Sequence, residues 1–156
     1  MPSEPVLTAV QRAFIDSTRR AVLATIAPDG RPRLVPICFS LDPGRPVLYA
    51  PLDDKPKRAN DPLTLARVRD ILADPRVTVL LDHWDEDWTR LAWLRAVGIA
   101  DVLDATGGME HTAAVHALRA RYPQYETHRL EARPTIRVTF QRVTEWGRLD
   151  RLRQRP

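Results

Sequence analysis

The sequence predicts an α+β fold, a mainly antiparallel six-stranded split β-barrel with helices inserted between the strands. Three observations carry that expectation. Two β-rich runs, residues 21–26 and 31–39, flank Pro28-Asp29-Gly30, a hairpin signature. Residues 135–140 alternate apolar and polar side chains with the period of a half-exposed strand. Stretches with helical spacing of apolar residues interrupt the strands. Antiparallel meanders must hide their edges, and closing the sheet on itself does so.

In chain order, residues 8–19 place Val10, Phe14 and Ile15 at helical spacing, with Thr8 as N-cap. The hairpin follows. Its second strand carries Pro32 and Pro36, which cannot donate to a ladder, so it borders an edge, a bulge or a ligand. Asp42-Pro43-Gly44 is a turn and 47–50 a short strand, which predicts a three-strand meander. Leu63, Leu65, Val68, Ile71 and Leu72 predict a helix of about three turns, ended by Asp74-Pro75. Residues 77–81 form a strand, 82–88 an acidic loop, and 91–102 a long, bent strand. Gly107-Gly108 makes a turn rather than a phosphate cradle. Ala114, Val115, Leu118 and Tyr122 then form a helical face, which Pro123 stops. The final strand, 135–140, continues through Val143 and Trp146.

At 156 residues the chain predicts one domain, 1–156, with neither repeat nor linker. Apolar residues at 44% and charged residues at 28% are the balance of a globular protein. No apolar run approaches the roughly 20 residues that cross a bilayer, and Met1-Pro2-Ser3-Glu4-Pro5 does not open a signal peptide, so a cytoplasmic, non-membrane protein is expected. The single cysteine, Cys38, excludes an intrachain disulfide; between Ile37 and Phe39 it reads as a buried thiol in a strand. The net charge of +4 does not select a partner by itself. Basic residues alternate with Asp and Glu rather than forming a stripe with aromatics, and the arginine-rich tail is short, so nucleic acid is not an expected partner.

Chemistry-bearing patterns are few. The histidines and carboxylates lack metal-ligand spacing, and no catalytic triad, Walker loop or dinucleotide fingerprint appears. His83 reads as a partner of Asp82 or Asp85 rather than a catalytic group. Asp85, Glu86, Asp87, Trp88 and Arg90 read as structural or interface residues.

The order of motifs resembles the pyridoxamine-phosphate-oxidase-like split barrels, and within them the class that uses the deazaflavin coenzyme F420. The resemblance rests on Ala24-Thr25-Ile26, Asp29-Gly30-Arg31-Pro32, Val35-Pro36, Lys55-Pro56-Lys57-Arg58, Asp74-Pro75-Arg76-Val77, and the run from Leu81 to Trp88. It implies an FMN-binding split barrel acting as an F420-dependent oxidoreductase, with FMN as the rival cofactor and a small organic molecule as substrate. It implies an anion grip at Lys55, Lys57 and Arg58, extending to Arg67 or Arg69, for which point charges and bidentate forks suit phosphate oxygens. Arg33, Val35 and Pro36 would border the ring, and Trp84 could stack on it. No catalytic side chain is then required, because the cofactor carries the hydride. The resemblance further implies a homodimer whose interface completes the site. The grouping of Trp84, Trp88 and Trp93 fits an interface or a core. A non-enzymatic binder of a flavin or tetrapyrrole on the same barrel is the alternative.

Overall fold

The computed structural model of the chain describes residues 3–53, 61, 65–106 and 108–151. Helix α1 (Ala9–Ser17) precedes the hairpin β1 (Ala21–Ile26) and β2 (Pro32–Ile37), followed by β3 (Ser40–Leu41) and β4 (Val47–Pro51). Helix α2 (Ala66–Ala73) leads into β5 (Arg76–His83) and β6 (Ala92–Leu103). Helix α3 (Gly108–Arg121) and two short 3-10 turns precede β7 (Thr135–Gly147). The α+β expectation holds, with seven strands where six were expected.

All pairings are antiparallel, in the order β2-β1-β5-β6-β7-β4-β3. The expected three-strand meander is corrected by this order: β4 pairs with β7, and β2 lies at the opposite edge. Yet only Cys38 and Phe39 separate β2 from β3. A link that short spans roughly 10 Å, so the two edges of the sheet must approach one another. The sheet therefore curls into a barrel that is split between β2 and β3. The edge position of β2 agrees with its prolines.

Local chemistry explains the elements. Thr8 and Gln11 form a reciprocal capping box at α1, with Gln11 N–H to Thr8 Oγ1 at 3.1 Å and Thr8 N–H to Gln11 Oε1 at 2.9 Å. Phe14 and Ile15 bury against the core, whereas Val10, read as part of the same face, is exposed. Pro28 presets the first hairpin turn and Gly30 takes φ +83°, where a side chain would be strained. Helix α2 is two turns rather than three; it buries Val68 and Ile71 and leaves Leu72 exposed, and Leu63 lies outside the described residues. The bend expected in β6 is a bulge at Val97/Gly98.

The barrel interior is filled by Phe14, Leu23, Phe39, Leu48, Leu94 and Phe140 with their neighbours. Helix α3 carries the expected face of Ala114, Val115 and Leu118. At its end the Tyr122 hydroxyl accepts the Phe39 N–H (3.1 Å) and donates to the Arg19 carbonyl (3.0 Å), pinning the seam. Cys38 is corrected from a buried strand position to a half-buried place in the β2–β3 link, where it packs against Val115, Leu118, Tyr122, Tyr125 and Leu130. No helix among the described residues is long and apolar enough to cross a membrane.

Candidate functional site

Strand alternation sets the first part of the site. Thr25 and Arg33 are cross-strand partners on β1 and β2, so their side chains share one face of the sheet. Helix α2 packs across that face and brings Asp70 to them. Asp70 Oδ2 accepts a 2.7 Å hydrogen bond from Thr25 Oγ1 and another of 2.7 Å from Arg33 Nε. The Asp70 side chain is 2% exposed and that of Arg33 41%. The hydrogen bond and the charge of Asp70 hold the Arg33 guanidinium above its ordinary pKa.

One turn earlier on α2, Arg67 has its Nε buried with no hydrogen-bond partner among the described residues. Burial lowers its pKa, opposed by the charge of Asp53, two residues past the end of β4. Asp53 is buried and accepts a 2.9 Å hydrogen bond from the Tyr125 hydroxyl. Tyr125 titrates far above its ordinary range, chiefly through burial, reinforced by the neighbouring Cys38 thiol and Asp53. Helix α2 thus forms a ledge of two residues one turn apart, Asp70, whose buried carboxylate holds the Arg33 guanidinium of β2, and Arg67, whose own guanidinium has an orphaned nitrogen.

The residues expected from sequence are divided by the fold. Arg33 and Val35 point to the same, inner face of β2, with Val35 half-buried; Pro36 is exposed on the other face. Arg67 joins the ledge, and Arg69 is exposed. Lys55, Lys57 and Arg58 lie outside the described residues. Trp84 is 63% exposed beyond the end of β5, its Nε1–H donating to Glu86 at 3.2 Å. Since Ala24 pairs with Thr78, Thr25 stands level with Val77, and Trp84 is seven residues past the level of the ledge, roughly 23 Å away along the strand. Within one chain Trp84 and the ledge are therefore not brought together.

The acidic loop is structural in its bonding. Asp85 Oδ1 accepts the Asp87 N–H (2.8 Å), and Asp87 Oδ1 accepts from both the backbone and the hydroxyl of Thr89 (3.0 and 2.8 Å). His83 Nε2 lies 3.8 Å from Asp85, beyond hydrogen-bond distance. None of the tryptophans is in the core. Trp93 and Trp146 are cross-strand partners on the outer face, which also presents Leu34 at 63% and Leu80 at 37% exposure. A separate cavity of about 250 Å³, between Glu4, Arg45, Asp101 and Arg137, has both of its arginines already paired with carboxylates.

Asp70, Thr25, Asp53 and Tyr125 were not singled out from the sequence. A signal existed for the first two. Asp70 interrupts the apolar stripe of Val68 and Ile71, and Thr25 occupies the inward phase set by Leu23. A polar residue at a core phase asks for a partner.

The family model for pyridoxamine 5'-phosphate oxidase matches residues 7–147. The chain belongs to that family. No curated protein matches it significantly in sequence. Among solved structures, the conserved hypothetical protein Rv2991 from Mycobacterium tuberculosis is similar with a TM-score of 0.72 and 21% identity, covering 99% of this chain and 94% of that one. An FAD-binding protein from Mesorhizobium loti shares the fold at a TM-score of 0.60 and 22% identity, covering 89% and 94%. A heme-binding protein from Mycobacterium smegmatis does so at a TM-score of 0.66 and 22% identity, covering 94% of this chain and 57% of that one. A pyridoxamine 5'-phosphate oxidase family barrel is thus the frame in which the α2 ledge stands.

Proposed function

We propose that the protein is an oxidoreductase that binds a phosphate-bearing flavin-type cofactor, with the deazaflavin F420 preferred and FMN as rival, at the boundary of a homodimer. The observation that carries this reading is the α2 ledge. The Nη groups of Arg33, half-exposed on the edge strand, and the guanidinium of Arg67, whose buried Nε lacks a partner among the described residues, are donors that fit the oxygens of an anionic tail. The likeness to an FAD-binding protein supports a flavin-type ring.

When bound, such a cofactor supplies hydride transfer to or from a small organic substrate. The chain's own residues bind and orient. Arg33 and Arg67 grip the tail, Lys55, Lys57 and Arg58 add positive charge to it, and Val35 offers an apolar wall. Pro36 belongs to the outer face and Trp84 is remote from the ledge of its own chain, so both act across the boundary, against the site of a second copy. The outer face supports that arrangement, because Leu34, Leu80 and Trp146 expose apolar surface that a partner would cover. No side chain is assigned a proton-transfer role.

Titration with F420, FMN and haemin side by side, followed by absorbance and fluorescence, tests the proposal. Saturable binding of F420 or FMN, with turnover of the reduced cofactor by a candidate acceptor, is expected. Binding of haemin alone would instead support a non-enzymatic tetrapyrrole carrier, to which the likeness to a heme-binding protein points. Binding of none of the three would overturn both readings.

A further inference from the structure

We infer that Asp70 is a positioning residue: through Arg33 it selects cofactors that carry a phosphate over those that end at the sugar alcohol. The inference rests on the flavin-type reading given above. It starts from an oddity of burial. Position 70 lies on the buried face of α2 with Val68 and Ile71, and Thr25 opposite it is 1% exposed. An apolar residue at 70 would complete the core, whereas a buried ion pair generally contributes little net stability relative to one. A buried carboxylate here is explained by what it does to Arg33.

Arg33 stands on an edge strand, where a long side chain with no partner would sample many rotamers. Asp70 Oδ2 takes its Nε at 2.7 Å and is itself held by Thr25 at 2.7 Å, so the anchor point is fixed from two elements. Using Nε as the tether fixes the guanidinium plane and leaves the Nη groups to face outward. The pair is formally neutral. What it offers an anion is therefore aimed N–H donors rather than a long-range field, and donors of fixed geometry favour a tetrahedral phosphate that can accept two of them. A ligand without the phosphate gains nothing from the tether.

The experiment compares ligands with and without the phosphate: FMN against riboflavin, which differ in the phosphate alone, and F420 against its deazariboflavin core, which lacks the whole phosphate-linked tail. Each pair is titrated into the wild type, Asp70→Asn, Arg33→Gln and the double variant, with thermal melting recorded for each. The wild type should prefer the phosphate form at least about ten-fold. Asp70→Asn keeps the shape but leaves Thr25 and Arg33 to share a neutral amide oxygen in place of the charged one, so the Arg33 tether loses its charge assistance. The variant should bring that preference down to about three-fold or less while the affinity for the phosphate-free form stays unchanged. The double variant should lose no more than Arg33→Gln does, because Asp70 acts through Arg33. Should Asp70→Asn not fold, Arg33→Lys keeps the charge without the Nε tether and should show the same loss of preference. An unchanged preference, an equal loss for both forms, or additive losses in the double variant would overturn the assignment while leaving the cofactor reading intact. A wild type that binds neither form overturns the cofactor reading and the role of Asp70 with it.

Discussion

The Tyr49 hydroxyl donates a 2.8 Å hydrogen bond to Glu110 Oε1, joining β4 to the first turn of α3. Arg45 reaches the same oxygen at 3.1 Å and Arg137 takes the other at 2.7 Å. Burial pushes Glu110 up, but the Tyr49 hydroxyl and the two arginines outweigh it, so its pKa falls below the ordinary 4.5. A carboxylate depressed in the folded state contributes stability that is fully present above its unfolded value and is lost as pH falls through the folded one. Glu110→Gln is expected to destabilise by about 1–3 kcal/mol at pH 7. The gap to the wild type should shrink once pH drops below about 4.5, as urea denaturation at pH 7, 5 and 3.5 would show. A gap that does not change with pH would contradict the assignment.

Gly98 lies at the bulge in β6, where a Cβ would stand 2.2 Å from the Thr139 carbonyl oxygen. The obstacle is backbone and cannot swing aside. Gly98→Ala should cost about 2–3 kcal/mol, lowering the melting temperature by roughly 5–10 °C. Gly44→Ala is the control, since its nearest atom is 3.9 Å away, and should shift stability by less than about 0.5 kcal/mol.

Leu34 is 63% exposed on the outer face of the edge strand. If that face is the homodimer boundary, Leu34→Glu places a charge in an apolar interface and should yield monomers by sedimentation at micromolar concentration, where the wild type sediments as a dimer. Folding of the monomer should be little affected, because the side chain contributes little to the core. A wild-type monomer, or a variant that still sediments as a dimer, would remove this boundary.

The proposed cofactor reading gives Lys55 and Lys57 the anionic tail to hold. Replacing both by Ala should weaken F420 or FMN binding ten-fold or more, which corresponds to about 1.4 kcal/mol. Titration under the conditions used for the wild type reads this directly, and an unchanged affinity would sink their role.

Much of the fold was legible because it is local. The turn at Gly30, the N-cap at Thr8 and the alternation after Thr135 each lie within a few residues, and each formed where the spacing placed it. What the amino-acid sequence alone determined is six of the seven strands and the three helices among the described residues, the exclusion of the proline-bearing strand from mid-sheet, and the family motif order. Tertiary structure decided which strands neighbour one another, because pairing energy comes from residues far apart in the chain and is not written in any one segment. That is why β4 pairs with β7 instead of continuing a meander. It also decided the site. Asp70 meets Thr25 across 45 residues and Asp53 meets Tyr125 across 72, so only folding converts a helical aspartate and a strand threonine into a tether for Arg33.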